Sequence, residues 1–223
     1  MKASLDTNVI IHLYRANKQD ILFGFFDEIV VYQKIREIEL ENHADSSILN
    51  LLDEDIFKGK IKLYTDELLK EQGVFKIFEG NVKDNRNLYS PKDLGEVYAI
   101  SLAQTLGVHS LITDDIKAGG PYTSLLSFVD HEIIPFTFVE ILILRFLGNK
   151  ESAMDTLRIF DYINDTSGLQ WSFNSHLKKF VCRFCREPFK EEERKWLETY
   201  CANKGISLKR KLMEMNELLK SMS

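Results

Sequence analysis

The opening run Met1-Lys2-Ala3-Ser4-Leu5-Asp6-Thr7-Asn8-Val9-Ile10-Ile11-His12 sets an aspartate near the end of a short extended segment, ahead of a Thr-Asn turn and an apolar stretch. Val108-His109-Ser110-Leu111-Ile112-Thr113-Asp114-Asp115 repeats the arrangement: a short apolar segment again ends in acids. In a parallel α/β sheet the C-terminal ends of the strands line one crevice, and ligands bind there. Two strands that end in carboxylates therefore predict a shared acidic site.

The chain outward from these stretches reads as alternating strands and helices. Strands are predicted at 3–6, 27–32, 61–64, 108–113 and near 132–135, the second of them the β-branched run Asp27-Glu28-Ile29-Val30-Val31-Tyr32. Helices are predicted from Val9 onward, over 33–52, after Tyr64 through Phe78, over 91–106 and over 136–147. The polar stretch 80–90 and the Gly119-Gly120-Pro121 segment read as loops. Ser90, Pro91 and Asp93 have the form of a helix start with a capping box, and Gly107 of a helix stop. Such alternation predicts an α/β fold with a central parallel sheet over residues 1–147. Gly148-Asn149-Lys150 reads as a joint, and 151–223 as an α-helical extension of two to four helices, with turns at 165–168 and near Gly205.

The 223 residues suffice for one good core and a small appendage. Hydrophobic content of 44% and charged content of 28% are those of an ordinary globular protein. The net charge of −5 gives no global support for nucleic-acid binding, although a local basic patch can serve. That charge is uneven: residues 1–150 carry −7 and residues 151–223 carry +2. No signal-peptide pattern opens the chain, and the apolar run Phe136–Leu147 is broken by Glu140 and Arg145 and too short to span a bilayer. A cytoplasmic location and no membrane association are the expectation, and three cysteines, an odd number, fit a reducing compartment.

Glu96 begins the apolar stripe Ala99, Ile100, Ala103, Gly107 of its helix, where an uncompensated charge is costly. Asp114 and Asp115 form a like-charged pair that asks for a cation. A fourth acid is expected from helix 33–52, where Glu37, Glu39 and Glu41 are candidates. Carboxylate oxygens suit the hard cations Mg²⁺ and Mn²⁺, which assist phosphodiester hydrolysis.

Three segments then carry a resemblance. Leu5-Asp6-Thr7-Asn8-Val9-Ile10 resembles the opening motif of PIN-domain nucleases. Leu94-Gly95-Glu96-Val97-Tyr98-Ala99-Ile100-Ser101-Leu102-Ala103 resembles their third motif, and Leu111-Ile112-Thr113-Asp114-Asp115 with Ala118 their fourth. Order and spacing over residues 1–147 also fit. The resemblance implies a Rossmann-like three-layer domain that binds Mg²⁺ or Mn²⁺ and cuts single-stranded RNA. Asp6, Glu96 and Asp115 or Asp114 become metal ligands, with Thr7 and Thr113 orienting the acids or a water. The second motif fits less closely: its spacing lands on Ile38, so the assignment moves to Glu39, with Glu37 beside it. The family also brings toxins held by a cognate inhibitor protein, but these are compact single domains, and the extension argues for a different role. A homodimer, a DNA-directed nuclease and a non-catalytic binding module stay open.

Other features have plainer readings. Cys182-x-x-Cys185, with His176 and Cys201, has the outline of a zinc site but lacks a second pair, and reads equally as a helix with buried thiols. Two basic clusters, Lys178/Lys179/Arg183/Arg186 and Lys204/Lys209/Arg210/Lys211, read as solvated helix faces or as grips for an RNA backbone. Trp171, Phe173 and Trp196 read as core.

Overall fold

The structure, a computed structural model, describes residues 1–89, 94–127, 132–186 and 191–222. Each of the five segments with strand character forms a strand: β1 (Lys2–Leu5), β2 (Glu28–Tyr32), β3 (Lys62–Tyr64), β4 (Ser110–Ile112) and β5 (Ile134–Phe136). They make one all-parallel sheet in the order β3-β2-β1-β4-β5. β2 is β-branched, and the residues of β1, β2, β4 and β5 are largely buried, as a sheet covered on both faces requires.

Helices fill the crossovers. Between β1 and β2 lie α1 (Thr7–Arg15) and α2 (Asp20–Phe23). Between β2 and β3 come a π-helical segment (Ile35–Leu40), α3 (Glu41–His43) and α4 (Ser46–Phe57). The path from β3 to β4 holds α5 (Asp66–Glu71), α6 (Phe75–Arg86) and α7 (Leu94–Leu106), and α8 (Pro121–Ser127) precedes β5. Crossovers β1→β2→β3 run one way across the sheet and β3→β4→β5 the other. With the near-universal right hand, the two sets of helices fall on opposite faces, giving an α/β arrangement compatible with three layers. The direction reverses between β1 and β4, so the switch-point crevice opens at the C-terminal ends of those two strands.

Four local expectations differ from the structure, one being the helix expected through Phe78, which is parted into α5 and α6 at left-handed Gly73 (φ +72°). The stretch 80–90 is helical through Arg86, because its asparagines bond sideways into α7. Asn85 Nδ2 donates to Ser101 Oγ at 2.9 Å and Gln104 Oε1 at 2.8 Å, and Asn81 Nδ2 donates to Thr105 Oγ1 at 3.0 Å. These tertiary bonds outweigh the weak helix propensity of Gly80 and the asparagines. The single helix expected over 33–52 is broken at Ala44, which is extended, and its first part is π-helical. The loop after Gly120 contains α8, which starts at Pro121, a residue suited to a first helical turn. The expected helix start at Ser90, Pro91 and Asp93 lies outside the described residues. Gly107 ends α7 with φ +61°, a left-handed conformation that favours glycine.

The chain divides into two compact units, Met1–Phe138 and Val139–Ser223. α9 (Phe138–Leu147) thus groups almost wholly with the second unit, and Gly148–Lys150 is a turn inside that unit. The second unit is helical in its described residues, with α10 (Ala153–Ser167), α11 (Phe173–Val181), a π-helical segment (Cys182–Arg186), α12 (Glu191–Asn203) and α13 (Leu208–Ser221). Gly168 ends α10 in the left-handed region. Its core holds a fully buried ion triad: Arg183 bonds Glu193 through Nε at 2.7 Å and Nη2 at 2.9 Å, and Glu140 through Nη1 at 3.1 Å. Among the described residues no helix is long and apolar enough to cross a membrane.

Candidate metal centre

The register Leu5↔Ile112 sets Asp6 level with Thr113. Two backbone bonds continue the sheet past the strand ends: Asp6 N to Ile112 O at 3.0 Å and Thr113 N to Phe136 O at 2.9 Å. The Thr113 hydroxyl donates to Asp6 Oδ2 at 2.9 Å, and the Thr7 amide donates to Asp6 Oδ1 at 2.6 Å, so Asp6 also caps α1. Asp6 is only 1% exposed, and burial pushes its carboxyl from 3.8 up to about 7 against the pull of those two bonds. The charges of Asp115 and Asp114 add to the rise.

The paired aspartates part company. Asp114 has both oxygens engaged by other partners: Oδ2 lies 2.8 Å from His12 Nδ1, and Oδ1 accepts from the Phe138 amide at 3.0 Å. Asp115 turns toward α7. Its backbone amide donates to Thr113 Oγ1 at 3.2 Å, and its carboxylate shares a hydrogen bond with Glu96. A bond between two carboxyl groups needs one proton between them, so these acids are close enough to repel when both are ionised. Burial raises the Asp115 pKa, but the bond to Glu96 and contacts to Lys117 outweigh it, and the net direction is down. Lys117 Nζ lies 2.6 Å from Asp115 Oδ2 and 3.8 Å from Glu96 Oε1. An ammonium thus already lies against both carboxylates of this pair.

The fourth acid follows from a close approach. A Cβ on Gly95 would collide with Thr7 Oγ1 and lie 3.3 Å from Thr7 Cβ and 3.4 Å from Glu39 Cγ. Gly95 therefore lets α7, α1 and the π-helical segment meet, and it brings Thr7 and Glu39 beside Glu96. Glu39 is half-buried, and desolvation raises its pKa. Glu37 and Glu41 are exposed, and Glu41 pairs with Arg36 at 2.6 Å. Buried Thr7 Oγ1 has no hydrogen-bond partner among the described residues, a costly state for an enclosed hydroxyl. Replacing Gly95 with Ala should force α7 from α1 and lower stability by about 1–3 kcal/mol, read as a lower urea midpoint. A variant as stable as the wild type would mean the approach is slack.

Asp6, Thr7, Glu96, Thr113 and Asp115 accordingly meet at one crevice, with Asp114 at its flank and Glu39 across from Gly95. Among the described residues no three His, Cys, Asp or Glu side chains converge tightly enough to hold a metal. The donor set nonetheless fits a hard divalent cation in kind: all-oxygen acids, an Asp115–Glu96 pair already faced by an ammonium, and an unbonded Thr7 hydroxyl. The cysteines form no such group among the described residues either; Cys182 is exposed and Cys201 buried. His12, Gly95 and Lys117 were not legible as site residues, since their partners are distant in sequence or on another element. Comparisons with family models, curated proteins and solved structures find no match to the chain.

Proposed function

We propose that the chain is a divalent-metal-dependent nuclease of the PIN type that hydrolyses single-stranded RNA. The observation that carries the reading is the meeting of acids from three separate segments, after β1, on α7 and after β4, at the switch-point crevice of a parallel sheet. Asp6, Glu96 and Asp115 would hold Mg²⁺ or Mn²⁺, with Glu39 on the side of Thr7. When bound, such an ion offsets charge on the phosphoryl oxygens and acidifies the attacking water. The protein's own part is orientation. The Thr113 hydroxyl and Thr7 amide fix both oxygens of Asp6, and the free Thr7 hydroxyl is placed to bond a water or a phosphate oxygen. Water adds to phosphorus as the bond to the 3′ oxygen breaks, leaving a 5′-phosphate and a 3′-hydroxyl that takes up the proton.

The test is cleavage of a labelled single-stranded RNA in Mn²⁺ by wild type and by Asp6→Asn, with single-stranded DNA beside it. Wild type should cut RNA and Asp6→Asn should not; cutting by both, or by neither, would sink the reading.

The contact of Lys117 with Asp115 and Glu96 favours a second reading, a non-catalytic binding module in which that ammonium neutralises the pair permanently. Lys117→Met separates the two. For a nuclease, Lys117 competes with the incoming ion, and losing a partly exposed pair worth ~1 kcal/mol should tighten Mn²⁺ binding about fivefold by calorimetry. For a binding module, neither protein takes up Mn²⁺.

A further inference from the structure

A second cluster of charge, opposite in sign, lines the neighbouring part of the same sheet edge. Lys34 caps the π-helical segment that carries Glu39, and Lys83 and Arg86 occupy the last turn of α6. With Phe75, Asn87 and Tyr98 they border a pocket of about 390 Å³, whose one acidic lining residue among the described residues is Glu79. Among the described residues, no ion pair within 4.0 Å joins any of the three cations to an acid. Arg86 Nη2 donates to Tyr98 Oη at 3.3 Å, and Lys34 Nζ lies 5.8 Å from the Tyr98 ring centre. Three cations drawn to one hollow repel one another unless an anion joins them.

The pocket's place ties it to the acids. The Tyr98 ring packs at 5.2 Å on Tyr32, the last residue of β2, and β2 lies next to β1 in the sheet. Tyr98 follows Glu96 by two residues on α7, and Lys34 precedes Glu39 at the end of the same strand. The π-helical segment and α7 thus carry Glu39 and Glu96 together with Lys34 and Tyr98 of the pocket, and α6 adds Lys83 and Arg86.

Resting on the nuclease reading, we infer that this pocket is a phosphate subsite for a single-stranded nucleic acid: Lys34, Lys83 and Arg86 hold a backbone phosphate beyond the scissile one. Such a subsite offsets the repulsion that the acids exert on the strand, and each phosphate it neutralises releases counterions.

The test reads binding without cleavage: fluorescence anisotropy of a labelled 12-nucleotide single-stranded RNA with full-length protein in EDTA, over a range of salt. Lys83 and Arg86 are exposed, so Lys83→Gln/Arg86→Gln should keep the fold, checked by its melting temperature. That pair should weaken binding about tenfold and flatten the log–log salt slope by about 0.7, the value for one lost phosphate contact on a single strand. Lys209→Gln/Arg210→Gln in the second unit should change neither. Equal losses in the two pairs, no loss in the first, or no binding by wild type would overturn the subsite. Excess pyrophosphate should compete with the strand in wild type and lose that effect in Lys83→Gln/Arg86→Gln; competition that persists in the variant counts against the subsite. A wild type that binds through the pocket but leaves RNA intact in Mn²⁺ would sink the nuclease reading and keep the subsite. A wild type that cuts RNA while Lys83→Gln/Arg86→Gln binds unchanged would do the reverse.

Discussion

Asp6→Asn should make the metal-free protein more stable while removing its response to divalent cations. Asp6 is enclosed, and its pKa of about 7 means that ionisation is resisted in the folded chain. Between 3.8 and about 7 the native state holds a proton that the unfolded state has lost, so stability falls as pH rises through that window and stays reduced above it. The rise corresponds to about 4 kcal/mol. Asparagine keeps the α1 cap, since its amide oxygen accepts from Thr7 N, and it carries no charge to desolvate. In EDTA at pH 8 the variant should therefore melt well above wild type, and its stability should lose most of the decline between pH 4 and 7. Added Mn²⁺ should raise the wild-type melting temperature by mass action, worth about 2.7 kcal/mol at a hundred times the dissociation constant, and leave Asp6→Asn unmoved. A variant that melts below wild type in EDTA, or gains equally from Mn²⁺, would mean that Asp6 is a structural cap and no ligand.

Arg183→Met should cost the second unit about 3–5 kcal/mol, because it strips the cation from two buried carboxylates. Glu140, Arg183 and Glu193 are 3%, 2% and 1% exposed. Arg183 meets Glu193 with two parallel bonds and Glu140 with a third group of its fork, a geometry lysine cannot copy. Arg183→Lys should accordingly fall between wild type and Arg183→Met. Both tryptophans, Trp171 and Trp196, belong to the second unit, so urea unfolding followed by tryptophan fluorescence reports on it selectively. A midpoint unchanged in Arg183→Met would show that the triad contributes no net stability.

Much of the first unit was legible because its signals are local. The β-branched run of β2 and four shorter apolar runs bounded by turns mark the strands, and the alternation with helices marks a parallel sheet. The two strand-end acids then fall at the switch point by topology alone. Where the reading failed, the deciding bonds were non-local. The asparagines of α6 look like loop residues until Ser101, Gln104 and Thr105 are set opposite them. Basic residues of the 178–186 stretch look like a solvated face, yet Arg183 is enclosed by acids from α9 and α12.

The sequence by itself determined the sheet, the kind of acid at its edge and the candidate positions Asp6, Glu96 and Asp114/Asp115. Tertiary structure alone separated the neighbours. Successive residues past a strand end point in different directions, so Asp114 meets His12 and the Phe138 amide while Asp115 meets Glu96 and Lys117. Glu39 stands apart from Glu37 and Glu41 for the same reason: a glycine on a distant helix admits it, and helical spacing within its own segment carries no record of that contact.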